Sequence, residues 1–200
     1  GASEDDIEQV IREISHKITD GMSTHKVYSM AYAILRKKSQ RIAGKYRLKK
    51  AIFELGPTGF TFEHFVGELL KNQGYQVQVG QIVQGHCVTH EVDVIAEKDN
   101  RKFMIECKYH SDPSRKCDVK VSLYIQSRFL DVEKEWKKKD SGSQHFHQGW
   151  IVTNTRFTED AMQFGKCAGL HLISWDYPAG GSLRERIDLS GLHPLTALQR

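Results

Sequence analysis

The 200-residue sequence predicts an α/β domain preceded by a small all-helical segment, and three observations carry that reading. Up to Leu55 the apolar residues recur at helical spacing. From Tyr75 onwards, short alternating or continuously apolar runs appear between helical stretches, as strands do in an α/β chain. Between the two, Gly56-Pro57-Thr58-Gly59 is strong punctuation. The expected organisation is therefore residues 1–57 as a helical segment and residues 58–200 as the larger domain.

Each element has its own signal. In the first helix Ile7, Val10, Ile11, Ile14 and Ile18 should form one buried stripe. A second helix follows Ser23 or Thr24 as N-cap, and a third runs through Ile42 and Leu48 to the Gly-Pro break. Thr61 is expected to cap the next helix, which Gly74 ends. "YQVQVGQIV" alternates as a strand, and His90 to Tyr109 reads as a hairpin. A polar loop then leads to a long helix with Val121, Ile125, Phe129, Val132 and Trp136 at core spacing. "GWIVTN", a helix capped by Thr158 and stopped by Gly169, and "LHLISW" form a strand–helix–strand unit, which predicts a parallel pair. The tail carries a turn and a short helix.

Composition narrows the function classes. No run of 18 apolar residues exists, which argues against a transmembrane helix. Four scattered cysteines without a C-x-x-C pair fit a reduced, cytoplasmic setting. "HCVTH" (His86 to His90) and "HFH" (His145 to His147) match no common structural zinc spacing, so surface or supporting histidines are expected there. The net charge of +4 is uneven: residues 1–57 hold 11 Lys+Arg against 7 Asp+Glu, while the remainder is balanced. Arg36, Lys37, Lys38, Arg41, Lys45, Arg47, Lys49 and Lys50 fall within fifteen residues without an acid. Such a surface either tracks the phosphates of DNA or is simply a solvated helix face.

The hairpin "HEVDVIAEKDNRKFMIECKY" holds the chemistry. Asp and Glu are poor strand residues, and a buried carboxylate is costly unless paired. A turn centred on Asp99-Asn100 sets Val94 against Ile105 and Ile95 against Met104, so Asp93 falls opposite Glu106. Opposed like charges destabilise a sheet, and a hard divalent cation between them removes the penalty. Lys108, two residues on, shares the face of Glu106. A one-residue slip would put Asp93 on the other face, and an exposed strand pair with a Glu–Lys contact is the plain alternative.

At Asp93 and Glu106-Cys107-Lys108 the sequence resembles the Asp…Glu-x-Lys pattern of the PD-(D/E)xK nuclease superfamily, in its Mrr-like restriction endonuclease branch. "FEHFVGELLKNQGYQV" resembles that family's opening helix, and "GWIVTNTRFTEDAMQFGKCAGLHLISW" its closing strand–helix–strand. The resemblance implies a restriction-endonuclease-like core with a mixed central β-sheet flanked by helices. It implies an acidic Mg2+ (or Mn2+) site of Glu63, Asp93 and Glu106 with Lys108 beside it, and DNA phosphodiester hydrolysis as the reaction. Gln126 is a candidate auxiliary contact to substrate or metal, against the plainer reading of a half-exposed helix residue. Cutting both strands usually takes two active sites, so a homodimer is among the expected partners. The alternative is a catalytically inactive DNA-binding or nucleotide-regulated module with the same fold.

"STHKVYSMAYAILRKKS" and "KYRLKKAIFELGPTG" resemble the C-terminal part of an ATP-cone. That family's basic nucleotide-binding segment has no counterpart here, which counts against ATP or dATP binding by these 200 residues.

Overall fold

A computed structural model describes residues 3–38, 40–139 and 146–194, without the side chains of residues 40–42 and 44–46. His145, one of the sequence's zinc candidates, lies outside the described residues. The chain divides into two compact units, Gly1–Glu54 with His193–Arg200, and Leu55–Leu192.

The first unit holds α1 (Glu4–Ser15), α2 (Thr24–Lys38) and α3 (Gln40–Phe53). Ser3 and Asp6 form a capping box at the start of α1, and Ser23 caps α2 by accepting from the Lys26 amide at 3.3 Å. The apolar stripe expected on α1 is not buried as a whole. Only Ile14 is buried there, while Ile7, Ile11 and Ile18 are 49%, 59% and 48% exposed. Periodicity reports that a helix has an apolar face; it does not report that a neighbour covers all of it.

The second unit is built on a mixed sheet in the order β1-β2-β3-β5-β7. Its strands are β1 (Gln76–Gln84), β2 (Thr89–Lys98), β3 (Arg101–Lys108), β5 (Phe146–Thr153) and β7 (His171–Ile173). The first two pairings are antiparallel and the last two, β3–β5 and β5–β7, are parallel. The flanking helices are α4 (Phe60–Asn72), α5 (Val119–Lys139), α6 (Glu159–Cys167) and α7 (Leu183–Ser190). A two-residue pair, β4 (Lys116–Cys117) with β6 (Arg156–Phe157), was not legible in the sequence because two residues carry no periodicity.

The site depends on how the middle of this sheet is held. Asp99 and Asn100 take φ of 52° and 60°, a two-residue turn with both central residues left-handed. That turn fixes the register Lys98–Arg101 through Val94–Ile105, as the sequence predicts. Helix α5 lays Ile125, Phe129 and Val132 into the core, with Val121 and Trp136 partly buried at its ends. Helix α4 packs on β1 at Gly67, where an added Cβ would lie 3.0 Å from Val79. Thr61 does not cap α4: the helix starts at Phe60, Gly59 stands at the N-cap, and Thr61 lies in the first turn. Gly74, with φ of 85°, does end it. Thr158 caps α6 as expected, accepting from the Ala161 amide at 3.3 Å.

The turn gives a direct check on the register. Asn100→Val should lower stability by about 1 kcal/mol in urea unfolding, because a β-branched residue resists positive φ. Asn100→Gly should be neutral or stabilising at the same position, as glycine meets no such resistance.

Candidate active site

β3 is a middle strand of the sheet, with β2 on one side and β5 on the other. On β3, Glu106 is 8% exposed and Cys107 is 6% exposed. Parallel pairing sets Glu106 beside Ile151 and Lys108 beside Thr153 of β5. The Thr153 hydroxyl donates to the Lys108 carbonyl at 2.7 Å. Just beyond, Asn154 clamps the chain leaving β3: its side chain accepts from the His110 amide and donates to the His110 carbonyl, each at 2.8 Å. These contacts hold the backbone on either side of Lys108.

On the β2 side the ladder runs to Val94–Ile105. Just past the end of that ladder, the Asp93 carboxylate accepts the Cys107 amide at 2.7 Å. A side chain thus takes a donor of β3 and draws a carboxylate against the middle strand.

The carboxylates feel each other. Burial and then the Asp93 charge push the Glu106 carboxyl up to about 7, against the pull of Arg128 and Lys108. Burial also raises Asp93, opposed by the Cys107 amide, Arg128 and Lys108. Glu63, on α4, is raised by burial and then by the charges of Asp93 and Glu91. Glu63, Asp93, Glu106 and Lys108 therefore share one electrostatic neighbourhood. Among the described residues, however, no three His, Cys, Asp or Glu side chains gather closely enough to hold a metal ion.

A residue that the sequence reading missed explains part of this. Arg128 of α5 is ion-paired to Glu106, Nη1 to Oε2 at 2.6 Å, with both side chains 11% exposed. Its other arm donates to the Glu91 carbonyl, and the guanidinium lies 5.4 Å from the Tyr124 ring centre. A cation beside Phe129 on a core-facing helix was the one available signal.

The remaining candidates sort plainly. Gln126 is two residues from Arg128 and so projects from a different side of α5. Its Oε1 is buried with no hydrogen-bond partner among the described residues. Arg36, Lys37, Lys38, Lys49 and Lys50 are exposed on α2 and α3, with Lys38 paired to Asp6 at 3.0 Å and Lys50 to Glu54 at 3.6 Å. Arg47 departs from the basic face: it is 9% exposed, paired to Glu54 at 3.4 Å and stacked over Tyr32 at 4.9 Å. The side chains of Arg41 and Lys45 lie outside the described residues. His90 pairs with Asp131 at 2.8 Å, and His147 accepts the Lys102 amide at 3.0 Å, so both have supporting roles. Buried Cys107 and Cys117 have thiols pushed up by desolvation, Cys117 to about 12, which leaves them protonated and poor nucleophiles.

A family model described as the Mrr catalytic domain, restriction endonuclease, matches residues 56–177. The chain belongs to the Mrr-type restriction endonuclease family. The five-stranded mixed sheet flanked by helices is accordingly a restriction-endonuclease-like fold. An uncharacterised protein of Archaeoglobus fulgidus is 39% identical over 134 residues, 67% of this chain and 71% of its own. The crystal structure of AF1548, a protein of unknown function, aligns with a TM-score of 0.63 at 38% identity, covering 72% of each chain. No helix among the described residues is long and apolar enough to cross a membrane.

The raised Glu106 carboxyl makes this family member's stability depend on pH. Between about 4.5 and about 7 the folded state holds a proton that the unfolded chain has released. Stability should fall as pH rises through that window, by roughly 3 kcal/mol from this group. Urea unfolding at pH 5 and pH 7.5 should show Glu106→Gln with a visibly smaller drop than the parent. Equal drops would mean that Glu106 ionises normally.

Proposed function

We propose that this protein hydrolyses DNA phosphodiester bonds, as a metal-dependent endonuclease using Asp93, Glu106 and Lys108 with Glu63 in support. The observation that carries the reading is the hairpin's arrangement. Two raised carboxylates, Asp93 and Glu106, lie where the β2–β3 ladder ends, the Asp93 charge helping to raise Glu106, with Lys108 two residues further along the middle strand. Membership of the Mrr-type family points the same way, since the restriction-endonuclease-like fold suggests a DNA substrate.

The donor set fits a hard divalent cation. It consists of carboxylate oxygens whose proton affinity is raised by burial first and then by neighbouring acids, Asp93 acting on both Glu63 and Glu106, and Mg2+ or Mn2+ would offset both causes. Asp93 and Glu106 would hold the ion, with Glu63 as the third carboxylate. When bound, it supplies Lewis-acid polarisation of the phosphodiester and a more acidic water. Lys108 does the rest of the electrostatic work in this reading. Its ammonium is close enough to lower both Asp93 and Glu106, so it can hold a water or stabilise charge building on a phosphoryl oxygen. The pins from Thr153 and Asn154 keep the backbone at Lys108 in place while it does so.

A second reading has its own support. The Asp93 carboxylate is engaged with Cys107 and that of Glu106 with Arg128, and no three acids converge among the described residues. A DNA-binding module that does not cut would look the same. In either reading the exposed basic residues Arg36, Lys37, Lys38, Lys49 and Lys50 would grip phosphates, joined by Arg41 and Lys45. A homodimer would supply the second active site for two-strand cutting. The ATP-cone resemblance supports nucleotide regulation acting through α1–α3, a part of the proposal that ATP and dATP binding by calorimetry would test.

Two experiments separate these readings. Supercoiled plasmid should be nicked or linearised in Mg2+ or Mn2+, lose cleavage in EDTA, and be cut at least about a hundredfold more slowly by Lys108→Ala. Cleavage that survives Lys108→Ala unchanged would discard the catalytic assignment. Reversing Arg36 and Lys37 to Glu should weaken DNA binding and flatten its salt dependence by about 0.9 in log–log slope per lost phosphate contact. An unchanged slope would leave α2 out of the interface.

A further inference from the structure

Arg128 is the side chain at the site that neither the Asp…Glu-x-Lys pattern nor the family resemblance supplies. It reaches Glu106 from α5, 22 residues along the chain, and forms a short charge-assisted bond at 2.6 Å. The oxygen it takes, Oε2, belongs to the carboxylate on the middle strand that a cation would most need. With both side chains 11% exposed, water screens the pair little. The second arm of the fork donates to the Glu91 carbonyl, so the guanidinium bridges β2 and the Glu106 side chain of β3. It also lowers the neighbouring Asp93. One cation thereby offsets two carboxylates, which is the electrostatic task of a divalent ion at the same place.

Arg128 and a metal cannot both sit against Glu106 without facing each other as like charges at contact distance. A contact for a displaced guanidinium is already in place while it is paired to Glu106. Tyr124, one turn back on α5 and 59% exposed, presents its ring to the guanidinium at 5.4 Å, which suits a cation turned away from the carboxylate.

We infer that Arg128 is the resident counter-ion of the site, an intramolecular competitor that a divalent cation displaces from Glu106 as the acidic site assembles. The inference rests on reading Asp93 and Glu106 as metal ligands. It predicts that metal binding is weaker than the carboxylates alone would give, by the strength of the Arg128–Glu106 contact.

The test is Mn2+ affinity measured by calorimetry on the whole chain, without DNA, at pH 8.5, above the range in which Glu106 holds a proton. Arg128→Met should bind Mn2+ roughly tenfold tighter than the parent, a step of about 1.4 kcal/mol. Arg128→Lys keeps the charge but not the fork, so it should bind between the two; it carries the test if the Met variant does not fold. Glu106→Gln serves as the site control and should lose binding. If both Arg128 variants bind Mn2+ no tighter than the parent while Glu106→Gln loses it, the competitor role is wrong and the nuclease reading stands. If Glu106→Gln binds as the parent does, or no variant binds at all, the metal-site reading falls and takes this inference with it.

Discussion

A carboxylate placed on a middle strand of a mixed sheet is the constraint to which the rest of this site responds. Glu106 cannot reach bulk water easily, and the Asp93 carboxylate, bonded to the next residue's amide, adds its charge nearby. Burial and like charge both favour its neutral form, and pull the carboxyl up to about 7. Every nearby feature reduces that cost in some way. Lys108 stands two residues on, Arg128 arrives from α5, and the Asp93 carboxylate is stabilised by the Cys107 amide. The sheet itself tolerates the arrangement because β3 is pinned through Thr153, Asn154 and the β5 ladder.

This economy explains why the site looks at once reactive and closed. The same repulsion that would attract a divalent cation is met here by a guanidinium. The acidic groups are electrostatically coupled without being gathered into one coordination sphere. Family membership and the restriction-endonuclease-like fold suggest a DNA substrate.

How much of this was legible depends on whether the signal is local. The hairpin register was legible because two residues that tolerate positive φ mark its turn and apolar partners match across it. The α5 core stripe, the Thr158 cap and the Gly74 and Gly169 stops were legible for the same reason. Thr61 misled because a capping residue type sat two places inside a helix that begins after Gly59. The α1 stripe misled because burial belongs to the neighbours of a helix, not to its own period. Arg47 was counted with the basic face by its sequence company, while Tyr32 and Glu54 fold it inward. Arg128 had only the weak signal of a cation beside a core residue, since its partners Glu106 and Glu91 come from two strands distant in sequence.

The most direct measurement is the anomalous scattering of Mn2+ in crystals of the metal-loaded protein. The account predicts a peak bonded to the carboxylates of Asp93 and Glu106, with the Arg128 guanidinium withdrawn from Glu106 towards Tyr124. Saturating Mn2+ with no peak at those carboxylates, and Arg128 still seated on Glu106, would contradict it.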